Sequence, residues 1–202
     1  MKNKRFIDLK KKDIIEKYNS TSHFYDERYK EIQNLKYNYI IKQFTLSNKI
    51  ILDAGCGTGL FFSFLTNKSL KERDDISFFF YVGVDISWKM LEKFRLKLNE
   101  RYKDSKNKIG LILADLENLP FRNNSFNTLF SLTSYQNLPN MKRGIIESIR
   151  SLKDTGGLRI SILKKKINLK NFISLIKKHV NKMEIINNDI IEDFIIIGSI
   201  KK

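Results

Sequence analysis

The sequence predicts a doubly wound α/β fold, with five parallel strands followed by a C-terminal antiparallel hairpin and preceded by a helical cap. From residue 49 onward, short apolar runs alternate with segments of helical period, which is typical of a parallel sheet with crossover helices. A glycine-rich turn follows the first apolar run. Only a short connection separates the last two runs, which forces those strands to pair antiparallel.

These patterns predict the residue ranges of the cap helices and of the strands. Two helices, near residues 7–18 and 24–44, precede the sheet, and the second carries tyrosines and isoleucines such as Ile32 at helical spacing. We expect residues 1–47 to form a cap on a domain made of residues 48–202. The seven strands are predicted at residues 49–52, 77–84, 109–114, 126–132, 158–163, 183–188 and 194–200.

Helical periodicity and capping residues place the helices between the strands. One helix opens at Leu60, directly after the glycine-rich turn. Ser87 is the predicted N-cap of the next helix, and Asn140 is predicted to begin another, which the turn-forming residues 154–157 should end. A last helix is predicted over residues 169–180. The expected buried face of the Ser87 helix consists of Met90, Leu91, Phe94 and Leu98.

Composition excludes several classes of protein. The chain has 202 residues, of which 42% are hydrophobic, so a core can form without disulfides or metals. Its single cysteine, Cys56, and its two histidines give no metal-ligand spacing, so no metal site is predicted. No apolar run approaches the roughly 18 residues of a membrane span, and the basic N-terminal segment lacks the apolar stretch of a signal peptide. We therefore expect a cytoplasmic protein that makes no contact with membranes.

The net charge of +16 has two interpretations that the sequence leaves open. An excess of positive charge is the usual footprint of a protein that binds nucleic acid. However, Lys accounts for 29 of the 38 basic residues, and Arg is the residue favoured for bidentate phosphate and base contacts. The Lys excess therefore also fits a compositional drift toward AT-rich codons.

The stretch Asp53-Ala54-Gly55-Cys56-Gly57-Thr58-Gly59 follows the first predicted strand and opens a helix. Glycines allow a sharp turn and the close approach of a ligand to the backbone. With the acid at the strand end and the spacing D-x-G-x-G-x-G, the sequence resembles the class I S-adenosylmethionine-dependent methyltransferases over residues 49–200. The resemblance implies a Rossmann-like fold, S-adenosylmethionine as the cofactor and methylation as the activity.

Further motifs match that family in order and spacing. Gly83-Val84-Asp85-Ile86-Ser87 resembles the motif whose acid holds the ribose hydroxyls, and Ala114-Asp115-Leu116 resembles the one whose acid accepts from the adenine amino group. Asn127 departs from the family, where Asp often follows Phe at the start of the fourth strand. The resemblance assigns cofactor binding to Asp53, Ala54, Gly55, Gly57, Gly59, Asp85, Ile86, Asp115, Leu116 and Ser131, with Tyr18 and Tyr25 of the cap as lids.

The methyl acceptor is the open part of this prediction. In the family, the segment after the fourth strand faces the acceptor, which makes Tyr135, Gln136 and Asn137 the candidates for positioning it. We expect an RNA acceptor, with tRNA first, because both ends of the chain are basic. A small activator subunit is an expected partner, since some small RNA-modifying relatives need one. The alternatives are a small acceptor resembling a quinone precursor and a non-catalytic cofactor-binding subunit.

Overall fold

The computed structural model describes residues 2–42, 49–72 and 80–201. Its helices are α1 (Lys2–Thr21), α2 (Tyr25–Ile40), α3 (Leu60–Glu72), α4 (Trp88–Arg101), α5 (Met141–Ser151) and α6 (Leu169–Ile176). Its strands are β1 (Ile50–Ala54), β2 (Phe80–Asp85), β3 (Ile109–Leu113), β4 (Phe126–Leu132), β5 (Leu152–Leu163), β6 (Val180–Ile186) and β7 (Asp193–Ile200). Residues 43–44 of the predicted second cap helix and residues 77–79 of the predicted second strand lie outside the described residues.

The strands form a seven-stranded sheet in the order β3-β2-β1-β4-β5-β7-β6. The strands from β3 to β5 pair in parallel, and β7 pairs antiparallel with both β5 and β6. This confirms the predicted doubly wound sheet with its C-terminal hairpin. The chain order reverses between β1 and β4, and ligands of such sheets bind at the carboxyl ends of the strands on either side of that point.

Apolar side chains pack on both faces of the sheet. Successive residues of a strand point to opposite faces, so Ile51 belongs to one core cluster and Leu52 to the other. The Ile51 cluster contains Tyr37 of α2 and the aromatic side chains of α3 and α4, whereas the Leu52 cluster contains side chains of α5 and α6. Within the described residues, none of the helices combines the length and apolarity needed to cross a membrane.

Several predicted helix features are confirmed. The Ser87 hydroxyl accepts a hydrogen bond from the Met90 backbone N–H at 3.2 Å, which makes Ser87 the N-cap of α4. The buried residues of α4 are the four that periodicity selected. Asn140 caps α5 in the same way, by accepting from Arg143 N at 3.0 Å. The Asn127 side chain accepts from Ile50 N at 3.0 Å and so satisfies the first N–H of β1.

The predicted boundaries around β5 were wrong. Residues 154–157, expected to end a helix, lie inside β5, which begins at Leu152 rather than at 158. Their turn-like composition reflects a bulge, because the register with β4 moves from Phe126 opposite Leu152 to Thr128 opposite Gly157. Likewise, α6 ends at Ile176 and β6 begins at Val180, where residues 169–180 and 183–188 were expected.

The α2 residues selected by helical spacing are buried only in part. Ile32 is 49% exposed, and the buried residues of the helix are Gln33, Lys36, Tyr37 and Ile40. Ile40 belongs to the predicted set, whereas the buried lysine and glutamine carry no apolar signal and were therefore missed by hydrophobic periodicity. The division into a cap of residues 1–47 and a domain of residues 48–202 stays a prediction.

Candidate functional site

A cavity of about 680 Å³ lies at the carboxyl ends of β1, β2, β3 and β4, beneath α1 and the start of α2. This is the edge at which the predicted acids and glycines converge. The residues that line the cavity are Lys11, Ile14, Tyr18, Tyr25, Gly55, Gly57, Asp85, Ile86, Met90, Asp115, Leu116, Leu132, Thr133, Ser134, Asn137, Leu138 and Pro139.

The glycine-rich turn after β1 gives the cavity a floor made of backbone. Gly55 and Gly57 have φ angles of +85° and +54°, a region that side-chain-bearing residues rarely adopt. A Cβ on Gly55 would lie 2.1 Å from the Ser134 hydroxyl oxygen, so this glycine is needed for packing. A Cβ on Gly57 would meet nothing within 4 Å. The backbone at Gly57 is therefore open to a ligand.

Asp85, the last residue of β2, ties the turn to the start of α4. Its Oδ2 accepts from Gly57 N at 2.9 Å, and its Oδ1 accepts from Ser87 N at 2.8 Å. Burial raises the pKa of the Asp85 carboxyl, while the hydrogen bonds from Ser87 and Gly57 act in the opposite direction. A carboxylate fixed in this way can still accept hydrogen bonds from two hydroxyl groups on its cavity side.

Asp115, which follows β3, is paired with a lysine that the sequence did not single out. Lys11 Nζ lies 2.6 Å from Asp115 Oδ2 and 3.1 Å from Glu117 Oε2. Burial alone would lower the pKa of Lys11, but hydrogen bonds and attraction from the two carboxylates outweigh it, so the pKa is raised. Asp115 Oδ1 accepts from Glu117 N at 2.8 Å. Lys11 thus joins the cap to the third acid of the site.

Asp53, at the end of β1, is 1% exposed and lies behind the larger cavity. It lines a smaller cavity of about 310 Å³ together with Gln33, Tyr37 and residues of the glycine-rich turn. The Tyr81 hydroxyl donates a hydrogen bond to Asp53 Oδ2. Burial, reinforced by the charge of Asp85 and opposed by the Tyr81 hydrogen bond, raises the pKa of Asp53 to about 7. Gln33 Oε1 is buried and has no hydrogen-bond partner among the described residues.

Three of the predicted cofactor residues support the site from behind. Ser131 is fully buried, and its hydroxyl donates to the carbonyl of Ala54 at 3.1 Å, which ties β4 to β1. Gly59 packs against the ring of Phe94, where an added Cβ would lie 2.3 Å from the ring. Ala54, Gly59 and Ser131 do not line the larger cavity, whereas Ile86 and Leu116 do.

Of the three predicted acceptor-positioning residues, the structure brings only Asn137 to the cavity. A short 3-10 turn over Tyr135–Asn137 directs the Tyr135 ring into the core, where it is 1% exposed. Gln136 donates through Nε2 to the carbonyl of Thr133 at 2.7 Å and does not line the cavity. Asn137 Nδ2 donates to the Tyr18 hydroxyl at 2.9 Å, so a hydrogen bond joins the segment after β4 to α1.

Both predicted lid tyrosines line the cavity, with ring centroids 6.5 Å apart in an edge-to-face arrangement. Burial raises the pKa of Tyr18 to about 12 and raises that of Tyr25 as well, so both hydroxyls are neutral at physiological pH. Next to Tyr25, Asp26 accepts from the Thr58 hydroxyl and pairs with Lys97. These contacts hold the start of α2 on the glycine-rich turn.

This arrangement suits a nucleoside with a polar extension. Asp85 and Asp115 offer acceptors to hydroxyl and amino groups, and the apolar side chains of Ile86, Met90 and Leu116 line the cavity with them. Among the described residues, no group of three or more His, Cys, Asp or Glu side chains is placed to hold a metal ion.

Sequence comparison identifies the family. A family model described as a methyltransferase domain matches residues 52–160, which include the glycine-rich turn and the three acids. The chain belongs to this methyltransferase family. It is also 32% identical over 151 residues to an uncharacterized protein of Methanocaldococcus jannaschii, a match that covers 72% of this chain and 50% of the relative. The chain thus spans half the length of that curated relative.

Solved structures of methyltransferases share the fold. Magnesium protoporphyrin IX methyltransferase from Synechocystis, solved with bound S-adenosylmethionine, superposes with a TM-score of 0.71 at 16% identity, covering 96% of this chain and 97% of that one. A methyltransferase from Aquifex aeolicus gives 0.69 at 15% identity, with 90% and 98% covered. A candidate methyltransferase in complex with the Haloferax volcanii Trm112 methyltransferase activator gives 0.71 at 13% identity, with 92% and 98% covered.

The cofactor of this methyltransferase family is S-adenosylmethionine, and the residues present fit it. The open backbone at Gly57 admits a ligand without a Cβ in its way, and the two cavity acids lie at the carboxyl ends of the neighbouring strands β2 and β3. When bound, the cofactor supplies a methyl group activated on a sulfonium sulfur. Asp85 would hold the ribose hydroxyls, Asp115 the adenine amino group, and Asp53 the amino-acid end of the cofactor.

Proposed function

We propose that this methyltransferase transfers the methyl group to RNA, with tRNA as the first acceptor to examine. The observation that carries the proposal is the position of its lysines relative to the cavity. Lys165 and Lys166 are exposed directly after β5, at the sheet edge on which the cavity lies. On α1, Lys12 is exposed and Lys10 Nζ lies 3.5 Å from the carbonyl of Leu138. Lysine side chains thus lie on both sides of the cavity, where they could contact the phosphates of a polyanionic substrate, although Lys12 also pairs with Glu16 at 3.8 Å.

The size of the cavity supports an acceptor that remains mostly outside it. The space of about 680 Å³ is partly open to solvent, and the cofactor and one acceptor group would share it. An RNA would present one nucleotide to the remaining space while its phosphates lie along the lysine-bearing rim. Enzymes that modify a single base commonly extrude it from its stack in this way.

The direct test incubates the protein with labelled S-adenosylmethionine and with separate RNA, protein and metabolite pools. We expect label in the tRNA fraction and an affinity for tRNA that falls steeply with salt. Replacing Lys165 and Lys166 by Gln should lower the slope of log affinity against log salt by about one per lost phosphate contact.

A matched control is available directly after α6. Lys177 and Lys178 are equally exposed but lie just before β6, at the opposite edge of the sheet. Their replacement by Gln removes the same charge and should leave both binding and labelling unchanged. Equal effects of the two double variants, or binding that does not respond to salt, would contradict an RNA acceptor.

One observation favours a small apolar acceptor as the second candidate. The larger cavity lies between α1 and the segment after β4, and Ile14, Leu132 and Leu138 contribute apolar walls there. A compound of the quinone-precursor type would fit between these walls. Label that appears in the metabolite pool and is insensitive to both double lysine variants would support this acceptor instead of RNA.

We further propose a small activator subunit as a partner, in the manner of the Haloferax volcanii complex, because the two chains share a fold over most of their length. Co-expression with an activator of that kind should give a stable complex and increase the amount of label transferred. Unchanged labelling and separate elution of the two proteins would contradict this partner.

A further inference from the structure

Thr133, the residue that follows β4, lines the cavity with a strained backbone. Its φ angle is +60°, a left-handed conformation that is a genuine outlier for a β-branched residue. Such strain persists only where the surrounding structure fixes it, and it concentrates at functional sites. The Thr133 N–H donates to the carbonyl of Ser161 on β5 at 2.9 Å. The Thr133 side chain is also held by hydrogen bonds.

A buried ion pair holds the Thr133 hydroxyl. Lys36 of α2 and Asp193, the first residue of β7, are 3% and 1% exposed, and Lys36 Nζ lies 2.8 Å from Asp193 Oδ2. The hydroxyl accepts from Lys36 Nζ at 2.7 Å and donates to Asp193 Oδ2 at 2.9 Å. Residues 157 positions apart in the chain therefore meet on one threonine of the cavity wall.

Stability alone does not account for this pair. Removing two charges from water is costly, and apolar residues of similar size are often neutral or stabilising in their place. The pair is also incompletely satisfied, because Asp193 Oδ1 is buried without a partner among the described residues. Burial lowers the pKa of Lys36, although the attraction of Asp193 opposes this. A buried pair with these costs points to a role other than stability.

The strained turn connects the pair to the wall that faces the acceptor. The Thr133 carbonyl accepts from Gln136 Nε2 at 2.7 Å and from Asn137 Nδ2 at 3.3 Å. The same Asn137 amide donates to the Tyr18 hydroxyl of α1 at 2.9 Å. A continuous series of hydrogen bonds thus runs from the buried pair, through Thr133, to the contact between the cap and the segment after β4.

We propose that Lys36 and Asp193 are positioning residues for methyl transfer. They hold Thr133 in its left-handed conformation and thereby fix Asn137 against Tyr18. Neither residue lines the larger cavity, so they act through Thr133 rather than on a substrate. The proposal rests on the segment after β4 facing the methyl acceptor, but it does not depend on whether that acceptor is RNA or a small molecule.

The test replaces the pair by apolar residues of similar size in one variant, Lys36→Met with Asp193→Leu. We expect a thermal midpoint equal to or above that of the wild type and a cofactor dissociation constant within about twofold of it. The maximal rate of label transfer should fall at least about tenfold, and amide hydrogen exchange at residues 134–138 should accelerate by a similar factor. The matched control is Lys30→Met, which removes an exposed lysine from the same helix and should change none of these quantities.

A second comparison separates positioning from general packing. Thr133→Gly removes the strain that the pair has to hold, because glycine adopts left-handed angles freely. In that background, removing the pair should slow transfer and accelerate exchange by less than about twofold, because glycine keeps the left-handed angles without the pair. Asp193→Asn keeps an oxygen acceptor for Thr133 but leaves the Lys36 ammonium buried without its counter-charge, so it should lower the thermal midpoint, unlike the double variant.

Two results would overturn the proposal. One is a rate of label transfer and a rate of amide exchange in the double variant that both stay within twofold of the wild type. The other is a loss of cofactor affinity as large as the loss of transfer rate. If the wild type labels no pool at all, the proposed acceptors are wrong. Amide hydrogen exchange then still tests whether the pair positions the segment after β4. Faster exchange confined to residues 134–138 supports positioning by the pair, and unchanged exchange there contradicts it.

Discussion

Lys11 of α1 and Asp115 after β3 form an ion pair on the wall of the larger cavity, with Nζ 2.6 Å from Oδ2. Lys11 also neutralises Glu117, whose side chain is 2% exposed. Asp115 is the acid that would accept from the adenine amino group, so the Lys11 ammonium already uses the acceptor that the cofactor needs. The cofactor must therefore share Asp115 with Lys11 or displace it.

Replacing Lys11 by Met should change cofactor affinity and stability in opposite directions. Affinity should rise about fivefold, because Asp115 is freed and a cation next to a cationic cofactor is removed, a gain of about 1 kcal/mol. The free energy of unfolding should fall by about 1–3 kcal/mol, because the buried Glu117 carboxylate keeps its hydrogen bond from Asn140 N but loses the Lys11 ammonium. Calorimetry and urea titration measure the two effects.

The control for this variant is Lys12→Met, since the Lys12 side chain is 73% exposed on the same helix. Because the pKa of Lys11 is raised in the folded state, its stabilising effect should persist through neutral pH. It should be lost only as the pH rises above the usual lysine value of about 10.4. Weaker cofactor binding by Lys11→Met would show instead that Lys11 helps to hold the cofactor.

Asp85→Ala should strongly weaken cofactor binding. The change removes the acceptor for the ribose and also the two hydrogen bonds from Gly57 N and Ser87 N that order the turn. Hydrogen bonds to a charged group contribute about 1.5–3 kcal/mol each, so affinity should fall by a factor of about 100 or more. Asp85→Asn keeps the shape and one oxygen and should lose less. Unchanged binding by Asp85→Ala would contradict the site assignment.

Sequence patterns predicted the fold well because they report local periodicity. The sheet order follows from alternating apolar runs and crossover helices, and Ser87 and Asn140 were recognised because a cap depends on residues only three positions away. The start of β5 was missed because residues 154–157 have the composition of a turn, while their pairing with β4 and β7 is a tertiary feature.

The site was predictable where a residue sits in a motif and not where it depends on a distant partner. Asp85 and Asp115 stand at strand ends beside characteristic neighbours. Lys11 and Lys36 are two of many lysines, and they meet their acids 104 and 157 positions away in the chain. Tyr135 was predicted to face the acceptor, but the 3-10 turn rotates it into the core. Only the folded chain shows which polar side chains converge on the cavity.

The glycines of the turn allow a comparison between binding and stability. Gly57→Ala places a methyl group in open space beside both cavities, whereas Gly59→Ala places one 2.3 Å from the Phe94 ring. Both positions have positive φ, which costs an alanine about 1–2 kcal/mol. We therefore expect Gly57→Ala to fold with about this loss and to bind the cofactor at least about tenfold more weakly.

Gly59→Ala should lose about 3 kcal/mol or more, because overpacking against Phe94 adds to the backbone strain. Urea unfolding and calorimetry on the two variants separate the effects. If Gly57→Ala bound the cofactor like the wild type, the open backbone at Gly57 would not be a contact surface for it.

Asp53 should make both cofactor binding and stability depend on pH near neutrality. Its pKa is about 7 in the folded protein, well above its ordinary value of about 3.9, chiefly because it is buried. The folded state thus binds this proton more tightly than the unfolded state, so the free energy of unfolding should fall as the pH rises from about 4 to about 7. Cofactor affinity should change in the opposite direction, because only the ionised carboxylate attracts the ammonium group at the amino-acid end of the cofactor.

Urea titrations and calorimetry at pH 5.5, 7.0 and 8.5, on the order of one pH unit either side of that pKa, measure both slopes. In Asp53→Asn, the increase in cofactor affinity with pH should disappear. Part of the decrease in the free energy of unfolding with pH should remain, because burial also raises the pKa of Asp85. An affinity that rises equally in the wild type and in Asp53→Asn would place the responsible titration in the cofactor or at another residue. The Asp53 carboxylate would then have no direct part in holding the ammonium group.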